Sequence, residues 1–309
     1  MASAARDALV LGATGLRDAL NIPEVRAPDA AGAIIRRGLA VAAFNQLETF
    51  VEGRLVEIAS FVNSGQSHYS DLPAKLQERA SRNVVEVASA KVRRMDAADV
   101  QSYLAAAGAS LAAVSGAINL SPLTWMWGGS NMGSPDYFRI LKDFHVPSPA
   151  ESARQLSIRF GYPGADPSGV PIRLDEQLKE FAGERHRAAH DAGYAVSGIW
   201  LTLAAELLVK FALVFDTFAS VGAIALHRGE RDFAQDPLWT TPTRISLRFV
   251  EEHQRGWAER REGGVRAVRV VPDRHDAIRD AADRCTTAEV LIVRNRLSDI
   301  LEWQVPRLG

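Results

Sequence analysis

The sequence predicts a mainly helical protein that ends in a small α+β appendage. Three observations carry that reading. Long stretches before about residue 236 place apolar residues every three or four positions, the period of a helix buried along one face. After Pro237 the texture changes to alternation, as in "RISLRFV" at 244–250, the period of a strand. Between the helical stretches lie "SPLTWMWGGSNMGSP" and "GYPGADPSGVP", whose glycines and prolines read as loops. The expected division is a helical domain over 1–236 and an α+β subdomain over 237–309.

Taken in order, "LVLGATGLRDAL" at 9–20 reads as an ordinary turn. It has Gly12 and Gly15 of a phosphate-binding turn, but Asp18 stands at the third glycine position and no strand–helix alternation follows. Residues 31–63 read as a helix striped by Phe44, Leu47, Val51, Leu55, Ile58 and Val62. Stretches 74–92 and 96–117 repeat the pattern with many alanines. Ser134 before Pro135 predicts a capped short helix through Phe144. Further helices are expected over about 173–191 and 194–227. In the appendage, "EGG" at 262–264 suggests a hairpin turn with "VRAVRVV" returning, and "DRHDAIRDAADR" suggests a helix. Thr286 and Glu289 have capping-box spacing, and Val290, Val293, Leu297 and Ile300 follow at helical intervals.

The 309 residues carry a formal net charge of −1, so no global basicity points to nucleic acid and any such binding needs a local patch. Cys285 stands alone, which excludes an internal disulfide and a multi-cysteine metal site and makes a reducing, cytoplasmic setting the expectation. The longest apolar tract, 195–226, is interrupted by Glu206, Lys210 and Asp216. It reads as a buried helix and not a membrane span, with Glu206 and Lys210 spaced as a surface ion pair.

The stretch with most chemistry is "ERHRAAHDAG" at 184–193. Leu174, Leu178 and Phe181 precede Arg185 on nearly one helix face, so the apolar seam runs into a guanidinium. Such a group needs an anion or a polar partner if buried, for example Glu48 or a bound phosphate. His190 lies five residues on, about 140° further round. One straight helix therefore aims Arg185 and His190 apart, whereas two copies across a two-fold axis can pool them in one cleft. The same cations also suit a plain helix end, where they complement the dipole. His186 and His190, four apart, share a face and could ligate a metal. Arg187 stands where a zinc peptidase would carry its glutamate, and the other histidines lack ligand spacing.

This stretch resembles the Arg-x4-6-His signature of the HEPN superfamily, with His186 in the slot usually held by asparagine. "AFNQLETFVEGRLVEI" is similar to the family's opening helix, with Glu48 at its acidic place, and "SPDYFRILKDFHV" resembles a segment before the motif helix. The layout is most similar to the RiboL-PSP and MAE_28990-like branch, over about 31–226. The resemblance implies a HEPN-like helical bundle and a dimeric, metal-independent endoribonuclease that needs no cofactor. Such members serve toxin–antitoxin or phage-defence systems, with RNA as substrate and an antitoxin or defence protein as a further partner. It implies catalytic roles for Arg185, His190 and His186, support from Glu48, and RNA backbone contacts from Arg187 and Arg173. It equally admits a non-catalytic interaction module. Another branch places a tyrosine two residues after the histidine, where this chain has Ala192, with Tyr194 beyond.

Overall fold

A computed structural model describes residues 3–65, 68–112, 118–129, 131–286 and 289–305. The helices are α1 (Ala4–Ala19), α2 (Pro23–Arg26), α3 (Ala30–Asn63), α4 (Ala74–Glu78), α5 (Val84–Val92), α6 (Ala97–Ala112), α7 (Ser134–Asp143), α8 (Pro149–Arg159), α9 (Leu174–His190), α10 (Gly198–Arg228), α11 (Arg231–Gln235) and α12 (Arg274–Arg284). The strands are β1 (Ser246–His253), β2 (Gly256–Arg261), β3 (Arg269–Val271), β4 (Glu289–Arg294) and β5 (Ile300–Gln304). The chain is thus mainly helical with a small C-terminal sheet. It separates into two compact units, one of Ser3–Glu151 with Arg173–Thr240, the other of Ser152–Ile172 with the residues from Thr241 on.

In the helical unit α3 and α10 run parallel. Arg54 meets Asp216 and Ser220 in the middle, Phe50 meets Phe215, and Phe61 stacks on His227 near the ends. α1 and α9 each run antiparallel to α3: Ala5 N–H donates to Glu57, and Phe181 packs edge-on against Phe44. α10 is the centre of the core, with every residue from Leu207 to Leu226 buried. Its length and composition would suffice to cross a bilayer, yet 67% of its most apolar window is buried inside this chain. Caps fix the long helices. Asp29 accepts from Gly32 N–H at 2.8 Å, Ser197 Oγ accepts from Trp200 N–H at 3.0 Å, and Gly229 closes α10 at φ 62°.

Buried charges inside this core are paired. Asp216, fully buried, accepts from Arg6 Nε at 2.9 Å and from Arg54 Nε at 2.6 Å, and Arg54 also holds Glu57 at 2.7 Å. Lys210 is buried too, its Nζ donating to Gln177 at 3.2 Å, while Glu206 is exposed, so Lys210 does not stand at the surface as its spacing suggested. Burial pushes the Lys210 ammonium below its ordinary pKa, against the opposing pull of Glu206.

Several sequence expectations are corrected. Residues 9–20 are not a turn: they lie almost wholly in α1, where Gly12 gives room for the Gln46 side chain. The 74–92 helix contains a π turn, Arg79–Asn83, which lets Asn83 Nδ2 donate to the carbonyls of Leu123, Thr124 and Met126 and so pin the loop before α7. The helix from 97 ends, as described, at Ala112; its expected continuation over 113–117 lies outside the described residues. Gly133, not Ser134, caps α7, with Asp136 accepting the Gly133 N–H at 2.9 Å.

The other unit holds a five-stranded sheet in the order β3-β2-β1-β4-β5. β1 and β4 are parallel and the other pairs antiparallel. α12 covers one face through Ile278 and Ala281 against Val250, Leu291 and Val293. The expected helix over 286–300 is instead β4, a turn and β5: "VLIV" at 290–293 is a continuous apolar run because it lies in an interior strand buried on both faces. The Thr286–Glu289 contact does form, Glu289 accepting the Thr286 N–H at 3.2 Å, but a strand follows it. "EGG" lies, as expected, between antiparallel strands, β2 and the returning β3 inside "VRAVRVV"; β2 itself returns from β1 through a turn closed by Gly256 at φ 123°.

Candidate active site at the end of the motif helix

α9 carries the motif, and its buried side is Leu174, Leu178, Phe181, Glu184 and Ala188. The apolar seam passes to Glu184 and Ala188, leaving Arg185 beside it and half-exposed. Arg185 turns toward α3, where its Nε donates to Asn45 Oδ1 at 3.3 Å. One turn along α3, Glu48 accepts the Met132 N–H. Burial raises the Glu48 carboxyl above its ordinary value, against the lowering pull of that N–H and of the nearby Arg185. Among the described residues no carboxylate comes within ion-pair distance of Arg185. Its charge is oriented by a neutral amide and sits in the field of Glu48.

His186 and His190 are both exposed, their ring centroids 4.7 Å apart. Among the described residues no hydrogen bond or ion pair engages either imidazole. His190 borders an open depression of about 500 Å³ that Ile34, Arg37, Gly38 and Val41 of α3 also line. Arg37 Nη1 donates to the carbonyls of Asp191 and Ala192, satisfying the chain end of α9 and fixing the rim of this depression.

The two proposed backbone-binding arginines are placed differently. Arg187 is drawn back onto its own helix: Glu184 takes its guanidinium in an ion pair, and that guanidinium lies over the Tyr194 ring at 4.8 Å. Glu184 also accepts from the Tyr194 hydroxyl. The Glu184–Arg187–Tyr194 cluster locks the α9–α10 turn and is a structural demand on Arg187. Arg173 sits at the other end of α9, paired with Asp175 at 2.6 Å. At 1.5 Å per residue that end is about 25 Å from His190, so Arg173 stands outside the cluster.

The structure therefore sets Arg185 beside Asn45 and near Glu48 on the α3 side of α9, and His186 and His190 together on its exposed side, with Arg37 at the depression that His190 borders. Asn45 carries no sequence signal of its own; only the antiparallel packing of α3 on α9 brings it to Arg185. Among the described residues no group of three or more His, Cys, Asp or Glu side chains could hold a metal ion. Chemically, the cluster offers a fixed guanidinium for an anionic oxygen and two imidazoles for proton transfer near neutral pH. Comparison with protein families, curated proteins and solved structures finds no match for this chain.

Proposed function

We propose that the chain is an endoribonuclease that works as a homodimer through Arg185 and His190, with His186 beside them. The observation that carries this reading is the pairing of a guanidinium without an ion-pair partner and two unengaged imidazoles at one open helix end. Glu48 and Asn45 set Arg185 in place, and Arg185 takes a non-bridging oxygen of the scissile phosphate. One imidazole accepts the proton of the ribose 2′-OH as that oxygen attacks phosphorus. The other donates a proton to the departing 5′-oxygen as the P–O5′ bond breaks. The products are a 2′,3′-cyclic phosphate and a 5′-hydroxyl. DNA, lacking the 2′-OH, is not cut. Arg185 faces α3 while His186 and His190 face outward, so a second copy brings its own guanidinium to the first copy's imidazoles. A role as a toxin or phage-defence effector, restrained by a partner protein, fits this chemistry.

The test is incubation of the purified chain with single-stranded RNA in EDTA. The unaltered protein is expected to cut and leave cyclic-phosphate ends. Arg185→Ala and His190→Ala are each expected to lower the rate by about 100-fold or more, with unchanged circular dichroism. Intact RNA under all conditions, with the protein folded, would sink the nuclease and favour a non-catalytic interaction module.

A further inference from the structure

We propose that the open face of α3 is the surface on which a second copy of this chain docks, antiparallel, across a two-fold axis. The inference rests on the homodimeric reading above and supplies the surface that reading lacks. Among the described residues α3 is enclosed by α1 on one flank, α9 on the other and α10 beneath, and most of its remaining side is exposed, with Lys91 of α5 reaching it at Glu52. Along that side Gly38, Ala42, Asn45, Thr49, Glu52 and Val56 recur at intervals of four, three, four, three and four. This is the spacing of a helix seam that packs against another helix. Gly38, Asn45, Thr49 and Val56 are exposed, and Ile34, one turn before the seam, is 60% exposed. The face is indented by the depression beside His190 and by a groove of about 740 Å³ shared with Ala4 and Ala8 of α1. A Cβ added at Gly38 meets nothing within 4 Å.

Charge and size both select a second copy, and select its direction. The N-terminal half of the face is flanked by Arg37, Arg185, His186 and His190, and the C-terminal half carries Glu48, Glu52 and Glu57. Lys91 already reaches Glu52 at 2.9 Å, Arg54 reaches Glu57 at 2.7 Å and Arg185 lies near Glu48, so the complement acts chiefly as a field. A parallel mate would set the basic half against itself, whereas an antiparallel mate sets basic against acidic. The seam is also its own complement when reversed: Gly38 falls opposite Val56 of the second copy, Ala42 opposite Glu52, and Asn45 opposite Thr49. Small residues there allow the axes to approach to about 8 Å. The axis then passes close to Asn45, and the Arg185 that Asn45 holds lies beside it in both copies.

Sedimentation velocity on the full chain at about 50 μM is expected to give twice the 33.6 kDa chain mass. Ala42→Arg and Thr49→Arg, at positions solvent already reaches, are each expected to weaken association by at least about 30-fold, with unaltered circular dichroism and melting. Two sites are used because one arginine could disturb the helix. Oxidation of a Gly38→Cys/Val56→Cys variant in a Cys285→Ser background is expected to give covalent dimers, since the two positions are too far apart to bond within one chain. A monomeric wild type, a dimer that survives both arginines, or the absence of the covalent species overturns the proposal. A dimer that cuts no RNA leaves this surface standing and removes the nuclease; a monomer that cuts RNA does the reverse.

Discussion

Asp216→Asn tests the centre of the helical unit. The carboxylate is fully buried, and Arg6, Arg54 and the Ser220 hydroxyl all donate to it, at 2.9, 2.6 and 3.0 Å. The amide keeps the shape and removes the charge, leaving Arg6 with no carboxylate contact and Arg54 with Glu57 alone. Its NH2 also turns a donor toward one of the two guanidiniums, which only donate. Removing one partner of a buried ion pair costs about 3–5 kcal/mol. For a unit of this size, about 2–4 °C of melting temperature goes with each kcal/mol, so a fall of about 10 °C is expected. Urea unfolding followed by far-UV circular dichroism reads it, with the exposed Asp18→Asn as control, expected to shift stability by less than about 0.5 kcal/mol. A loss below about 1 kcal/mol for Asp216→Asn would refute the claim that this carboxylate holds α1 and α3 to α10. Replacing Arg6, Arg54 and Asp216 together by apolar residues is expected to restore much of the loss, because no fully buried charge then lacks a partner, and the partly exposed Glu57 keeps the Ser3 hydroxyl and the Ala5 N–H.

Two further outcomes follow from individual side chains. Burial holds the His145 imidazole below its ordinary pKa, so below about pH 6.5 the unfolded chain takes up a proton that the folded chain resists, and stability falls with pH there. His145 sits at φ 60°, a conformation that asparagine accepts, so His145→Asn should flatten the stability profile between about pH 7 and 5 in urea titrations. An unchanged slope would dismiss the assignment. Gly256→Ala should destabilise the sheet unit by about 1–3 kcal/mol, since φ 123° is strained for alanine and its Cβ would lie 2.3 Å from the Val271 oxygen; wild-type stability by calorimetry would contradict this.

The long helices were legible because each repeats its apolar face over many turns, and α9 was legible with both its ends. The C-terminal unit was less so. The positions 290, 293, 297 and 300 fit a helical interval, yet 290, 293 and 300 are inward sites of two strands and Leu297 is exposed in the turn between them. A continuous apolar run of four residues, 290–293, does not distinguish the two. β2, "GWAERR", hides because Glu259 is buried by pairing with Arg248 and Arg284, which no local pattern announces. At the site, spacing placed Arg185 and both histidines at one helix end, but put Arg185 on the buried seam that Glu184 occupies. The family resemblance assigns Arg187 to RNA; the structure adds its ion pair with Glu184 and its place over the Tyr194 ring, which no spacing announced. A charge inside an apolar tract was the one usable sign of the Asp216 network: Asp216 needed a cation, and only the tertiary fold says it has two.

The parallel alignment of α3 with α10 has a cost at synthesis. Arg54 waits for a partner 162 residues later in the chain, and the apolar underside of α3 waits with it. Until the ribosome has released α10, the emerging polypeptide exposes that surface and leaves Arg6 and Arg54 without Asp216. Contacts this distant in sequence close slowly. The nascent chain is therefore most prone to aggregate, and most in need of a chaperone, while the stretch between α3 and α10 is being made.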